Sequence, residues 1–190
     1  MLEEKETIIQ NYSDDFVNNL LGNIDLSKVS KDGTGDFDKI PDGYYLCELT
    51  EGKYESAIET KKAPRIKLVF TIVENGSKTV VDENGDLTYE EAEHTENRKL
   101  FVFFNLTSEQ NVKKFARDML KFEDLSMEGE HVSLLTMECF SSIDLISASL
   151  ETLIGSRIYI HVSTTTKNGE SSTWNNLITW ERAEALKLPL

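Results

Sequence analysis

Cysteine is scarce in this chain of 190 residues, which has only Cys47 and Cys139. They lie far apart and match no metal-ligand spacing, so they read as free thiols in a reducing compartment. Long apolar runs are missing as well. No segment approaches the roughly 20 residues a membrane helix needs, and the acidic start MLEEKETIIQ is unlike a secretory signal. The expectation is a cytoplasmic protein with no membrane partner. There is no glycine loop of the kind that cradles phosphate, no nucleophile elbow, and no pair of carboxylates in a catalytic context. His94, His131 and His161 share no ligand spacing. These absences argue against an enzyme and imply no cofactor and no metal.

Positive charge is also in deficit: 20 Lys and Arg face 34 Asp and Glu, for a net charge of −14. The excess is not spread evenly. Residues 1–38 contribute −6, and residues 82–96 contribute −7 with no Lys or Arg among them. Removing both blocks from −14 leaves −1 for the rest of the chain. A polyanion responds to local potential, so a nucleic-acid partner stays open despite the acidic total. The length suits one domain with an appendage. We place an acidic, partly helical or flexible arm at 1–38, the domain at 39–183 and a short tail at 184–190. Within the arm, Ile8, Ile9, Tyr12, Phe16, Val17, Leu20 and Leu21 recur at roughly helical spacing.

The stretch Pro41–Val73 carries the strongest pattern. A first strand is expected from Gly43 to about Ala57, with a bulge or bend at Gly52. A second runs from about Pro64 to Val73, with Ile66, Leu68, Phe70 and Ile72 on one face and Arg65, Lys67, Val69 and Thr71 on the other. Lys61 and Lys62 sit in the joining loop, which gives four cations within seven residues. In so acidic a chain this points to an anionic ligand. A short strand follows at Thr79–Val81, then an acidic loop from Asp82 to Asn97. Arg98–Asn105 is nearly all apolar after two cations and reads as a central strand.

Thr107 lies three residues before Gln110, as a capping box requires, and opens a helix to about Phe122. Its core face holds Val112, Phe115, Ala116, Met119 and Leu120; Lys113, Lys114, Arg117 and Lys121 lie on the other side. Residues 124–140 are ambiguous. A second helix starts at Ser141-Ser142, buries Ile146, Leu150, Leu153 and Ile154, and ends at Gly155. Two strands close the chain, Arg157–Ser163 and Thr173–Glu181, around a turn at Lys167-Asn168-Gly169-Glu170.

Asp82 to Glu93 imitates a calcium loop, but Leu87 occupies the position where the sharp turn demands glycine. A solvated acidic loop accounts for it better. Aromatics beside cations are more informative. Phe101 and Phe103 share a face with Lys99 and Asn105, opposite Leu100, Val102 and Phe104; Trp174 and Trp180 flank the last strand, and Tyr159 lies on the strand before it. Each alone is ordinary core material. Together with the cations they offer π faces for unstacked bases and charges for phosphates, as a single-stranded nucleic-acid platform requires.

Several short motifs in order resemble one family. They are IPDGYYLCEL with KKAPRIKLVFTIVENG, then Phe103-Phe104-Asn105-Leu106-Thr107 before a helix. Near the end come Asp144-Leu145, Leu153-Ile154-Gly155-Ser156-Arg157, IYIHV, Asn168-Gly169 and Trp174-Asn175-Asn176-Leu177-Ile178. Over roughly residues 32–182 this is similar to the phage-encoded single-stranded DNA-binding proteins. The resemblance implies a mainly β fold with helices: a five-stranded Greek-key oligonucleotide-binding (OB) barrel with helices between strands three and four. It also implies a non-enzymatic role in phage DNA replication or recombination, in the cytoplasm of the infected bacterial host. Single-stranded DNA is the implied partner, together with phage recombinase or replication proteins, and a homo-oligomer is open. The geometry of such a barrel selects Tyr54, Lys61, Lys62, Arg65, Lys67, Lys99, Phe101, Phe103, Lys167 and Trp174 as the nucleic-acid site. The competing reading is an acidic phage module that binds a replication or recombination protein, or mimics DNA with its carboxylates.

Overall fold

The computed structural model describes residues 39–126 and 129–188; the acidic arm expected at 1–38 lies outside them. The architecture is mainly β, an antiparallel seven-stranded sheet with helices against it. The long first strand, β1 (Gly43–Glu55), organises it. Tyr45, Cys47 and Leu49 point inward and are fully buried, as period-two alternation requires. One edge of β1 pairs from Gly43 to Glu48 with β8 (Arg157–Lys167). The other edge pairs first with β3 (Gly76–Val81) at Gly43 and Tyr44, then with β2 (Arg65–Ile72) from Cys47 onward.

The register of β1 against β2 slips between Leu49 and Glu51, so the bulge sits at Thr50. The sequence pointed to Gly52 instead. A Cβ on Gly52 would lie 3.1 Å from Leu150 Cβ; glycine is needed there because α3 (Ile143–Leu153) crosses closely above it.

The acidic block is not a loop throughout. Residues Leu87–Ala92 form β4, which pairs with β3 across a tight turn. Asp82 Oδ1 accepts the backbone N–H groups of Asn84 (2.8 Å) and Asp86 (2.9 Å), so this carboxylate closes the turn rather than standing free. Lys78 pairs with Glu90 across the hairpin at 3.2 Å. Among the described residues no three His, Cys, Asp or Glu side chains are grouped as a metal site requires.

Strand β5 (Lys99–Asn105) pairs only with β2 and is therefore terminal in its ladder, not central as its apolar content predicts. Its alternation is strict: Leu100, Val102 and Phe104 are buried while Lys99, Phe101, Phe103 and Asn105 are exposed. The strand is apolar on both faces for two different reasons.

Helix α2 (Glu109–Met119) is capped by Ser108, one residue later than the sequence motif indicates; Ser108 Oγ accepts the N–H of Asn111 at 3.2 Å. It buries Phe115 and Met119, and Phe115 packs at 5.3 Å on Phe104. The ambiguous region becomes a small hairpin, β6 (Glu123–Leu125) and β7 (His131–Ser133), followed by a 3-10 turn at Met137–Phe140. Helix α3 is capped by Ser142 and buries Ile146, Leu150 and Leu153, whereas Ile154, at its C-cap, is exposed rather than in the core. Phe70 stacks on Phe122 at 6.3 Å between the sheet and the end of α2. Each fully buried Phe stabilises by ~1.5–3 kcal/mol, so these rings dominate the core.

The closing hairpin turns at Asn168 and Gly169, both with positive φ (55° and 84°), the geometry a two-residue β turn needs. Strand β9 (Glu170–Ile178) ends before Trp180, which opens a helix, α4 (Trp180–Ala185), instead of continuing the strand. Thr179 caps that helix, and α4 runs across the boundary expected at 183/184; Leu188 is buried beyond it. Among the described strands β5 and β9 form no ladder with one another, so the sheet does not close. The main sheet has two strands more than the five of the expected barrel: β3, which contains the short strand expected at Thr79–Val81, and β4, which lies in the expected acidic loop.

Candidate nucleic-acid interface

Residues opposite one another in an antiparallel pair point to the same side. The β1–β2–β5 ladder therefore builds an outward face in rows: Glu55, Arg65, Asn105; then Lys53, Lys67, Phe103; then Glu51, Val69, Phe101; then Glu48, Thr71, Lys99. Phe101 and Phe103 are 45% and 47% exposed and lie parallel, with ring centroids 6.5 Å apart and planes inclined by 7°. The Arg65 guanidinium carbon lies 4.4 Å from the Phe103 centroid, a cation–π contact that fixes one ring.

Tyr54 is not on this face. It stands opposite the fully buried Ile66 and packs against the core. The extra residue at Thr50 inverts the alternation of the second half of β1, turning Tyr54 inward and Lys53 outward. Lys53 is accordingly the cation missed from the sequence, revealed only by the bulge position, and it pairs with Glu59 at 3.5 Å.

Arg65 and Lys67 are on the face, but neither is free. Arg65 Nε meets Glu55 Oε2 at 2.7 Å, and Lys67 Nζ meets Glu51 Oε1 at 3.1 Å. Period-two reading of β2 alone cannot show these acids, because they arrive on the neighbouring strand. Each of these partly exposed pairs contributes only ~0–1 kcal/mol, yet in each the carboxylate offsets the positive charge offered to an anion. Lys61, Lys62, Lys99 and Lys167 make no ion pair with another described residue.

The β1–β2 loop is ordered by a single helical turn, α1 (Ala57–Thr60), unanticipated in the sequence reading. Its capping box is reciprocal: Ser56 N–H donates to Glu59 Oε2 (2.7 Å), and Glu59 N–H donates to Ser56 Oγ (3.3 Å). These bonds hold the Glu59 carboxyl below its ordinary range. Lys61 takes the left-handed conformation (φ 53°) that ends the turn, and Thr60 Oγ1 accepts the N–H of Lys62 at 3.1 Å. The loop thus presents both lysines at the Arg65 end of the face, beside Ile58, which is 90% exposed. Lys99 marks the opposite end.

Trp174 is 53% exposed on β9, opposite Ser163, and its Nε1 donates to Thr165 Oγ1 at 3.0 Å. Lys167 lies on the same side of that hairpin, nearer its tip and opposite Glu170. Trp174 reaches the platform through the seam between β9 and β5. There a cavity of about 230 Å³ is lined by Phe101, Phe103, Trp174, Asn175, Lys114 and Asp118. Lys114, from α2, is a further cation that helix periodicity alone leaves unassigned. Lys121 is not on the solvent face of α2: its ammonium binds Asp118 (2.6 Å) and donates to Leu177 O (2.6 Å).

A second aromatic group lies elsewhere on the outside of the sheet. Tyr44 stacks on His161 at 4.5 Å and meets Tyr89 edge-on at 5.7 Å. Tyr159 meets Trp180 edge-on at 5.7 Å under α4, with Ala183 and Leu188 buried around it. Desolvation pushes Tyr159 up to about 12 and holds His161 below its ordinary value. Both cysteines are free thiols, and burial pushes Cys47 far upward, which leaves it unreactive. Compared with known proteins, the chain matches no family model and no curated sequence.

Proposed function

We propose that this chain is a non-enzymatic single-stranded DNA-binding protein that covers exposed strands during phage DNA replication or recombination. The observation that carries the proposal is the parallel, half-exposed Phe101–Phe103 pair, pinned by Arg65, with Lys61, Lys62 and Lys99 at its ends making no ion pair with another described residue. Two large apolar rings on a terminal strand are a liability unless something stacks on them. Unstacked bases offer π faces of the right kind, and every base has one, so binding is largely independent of sequence.

On this reading the sheet is an OB barrel. Strands β1, β2, β5, β8 and β9 are its five strands, β3 and β4 an inserted hairpin, and α2 and α3 the helices between its third and fourth strands. In support, the pairings β1–β2, β2–β5, β1–β8 and β8–β9 are all antiparallel and follow that order; β5–β9 would complete it. The roles divide between rings and rims. Phe101, Phe103 and Trp174 take bases, while Lys61, Lys62, Lys99 and Lys167 take phosphates. Arg65 and Lys67 serve mainly to hold the platform, because Glu55 and Glu51 already partner them. The partners on this reading are single-stranded DNA and phage recombinase or replication proteins in the host cytoplasm.

A fluorescence titration with oligo-dT at two salt concentrations tests the proposal. Trp174 is exposed beside the rings and should be quenched, and a Trp180→Phe variant should keep that signal. Affinity should fall with salt at a slope of about −0.7 per phosphate contacted, and Lys61→Glu/Lys62→Glu/Lys99→Glu should flatten the slope by about 2. Absence of oligo-dT binding, or equal affinity for duplex, refutes the proposal. The competing reading, an acidic protein-binding module or DNA mimic, draws on the exposed carboxylates of the β3–β4 hairpin, among them Glu83, Asp86, Glu90 and Glu91. The same charge reversal would spare a mimic.

A further inference from the structure

The seam between β5 and β9 contains a hydrogen-bonding group with nothing to bind. Asn175 Nδ2 donates to the Phe101 carbonyl at 2.9 Å, which identifies the other amide atom, Oδ1, as the acceptor left over. Oδ1 is buried and has no hydrogen-bond partner. Leaving a buried acceptor unpaired is costly, and such an atom calls for an explanation. Beside it, the seam cavity has aromatic walls (Phe101, Phe103, Trp174), the Asp118 carboxylate, one oxygen of which is already held by Lys121, and the ammonium of Lys114. Lys114 makes no ion pair with a described residue. Planar walls, acceptors inside and one cation are the complement of a nucleotide whose base carries an amino group.

We infer that one base of a bound strand wedges into this unladdered seam, uncovers Asn175 Oδ1 and donates its exocyclic amino group to it, with Lys114 on the adjoining phosphate. The inference rests on the single-stranded DNA reading and deepens it by adding base preference at one position of an otherwise tolerant platform. Cytosine N4 and adenine N6 are donors and suit the seam. Thymine presents a carbonyl, O4, at the equivalent position, which would face Asn175 Oδ1 and Asp118 with no proton between them. Asn175 acts here as a specificity-determining residue, and its bond to Phe101 keeps the amide oriented.

The test compares equal-length oligo-dC and oligo-dT with an oligonucleotide in which every cytosine is replaced by 2-pyrimidinone, which lacks only the amino group. The intact protein should bind oligo-dC about five- to tenfold more tightly than oligo-dT, and the pyrimidinone strand should lose that advantage. Asn175→Leu should abolish the preference, so that oligo-dC and oligo-dT bind alike; the base-analogue comparison stands even if that variant does not fold. Equal binding of dC and pyrimidinone strands, both salt-dependent, overturns the seam assignment and leaves the DNA-binding reading standing. Failure of all three strands to bind overturns the DNA-binding reading and the seam assignment with it.

Discussion

The sheet carries two groups of aromatic side chains on its outer side, and the fold treats them in opposite ways. Tyr159 and Trp180 are closed under α4, and Tyr44 stacks on His161, with only Tyr89 at the rim of that group left 42% exposed. Phe101, Phe103 and Trp174 are left half open. The first group spends its apolar surface on the protein; the second keeps it for something else. Aromatic content on a strand therefore says little about function until the element that covers it, or fails to, is known.

The sharpest way to separate the groups is to remove one ring from each and read stability and affinity together. Tyr159→Ala, from a nearly fully buried site, should destabilise the fold by ~3–5 kcal/mol in urea denaturation without changing the oligo-dT affinity of the protein that remains folded. Phe103→Ala should do the reverse. Its ring is half exposed, so the midpoint of unfolding should hardly move, while oligo-dT affinity measured by anisotropy should fall by ~1–3 kcal/mol. If Phe103→Ala melts early and binds normally, the two groups do not differ in kind.

A smaller effect should distinguish them by pH. The folded protein holds His161 below its unfolded value, mainly because burial penalises the imidazolium; Asp42 opposes that effect and Arg182 adds to it. Between the two values the unfolded chain binds the additional proton, so stability is greatest above about pH 6.5 and declines as pH falls through the depressed folded value. His161→Gln should remove that decline from a series of thermal melts. Phe101→Ala should leave it unchanged.

Much of the fold is legible in the sequence, because alternation, caps and turn residues are local. The period-two runs of β2 and β5, the Ser142 cap and the Asn168-Gly169 turn all stand where their residues place them. The failures share a cause: each depends on something distant in sequence. Arg65 looks free until Glu55 arrives on the neighbouring strand, and Lys121 looks solvated until Leu177 offers its carbonyl. Gly52 reads as a bulge until α3 is laid over it. Among the ten expected site residues, Tyr54 is turned away from the β1–β2–β5 face, and Arg65 and Lys67 lie on it already paired with acids.

The bulge at Thr50 behaves as a phase inverter in the middle of one strand. Upstream of it, odd-numbered residues face the core; downstream, even-numbered ones do. Deleting this single residue would leave Leu49 and Glu51 on the adjacent β2 partners they already have, Phe70 and Val69, so a regular ladder would keep Tyr54 inward and Lys53 and Glu55 outward. Removing the bulge is thus the one single-residue loss in this strand that preserves every facing, while the loop bearing Lys61 and Lys62 can gain or lose residues at modest entropic cost. Variation in this protein should therefore accumulate as loop length beyond Glu55 and, within the strand, at the bulge itself.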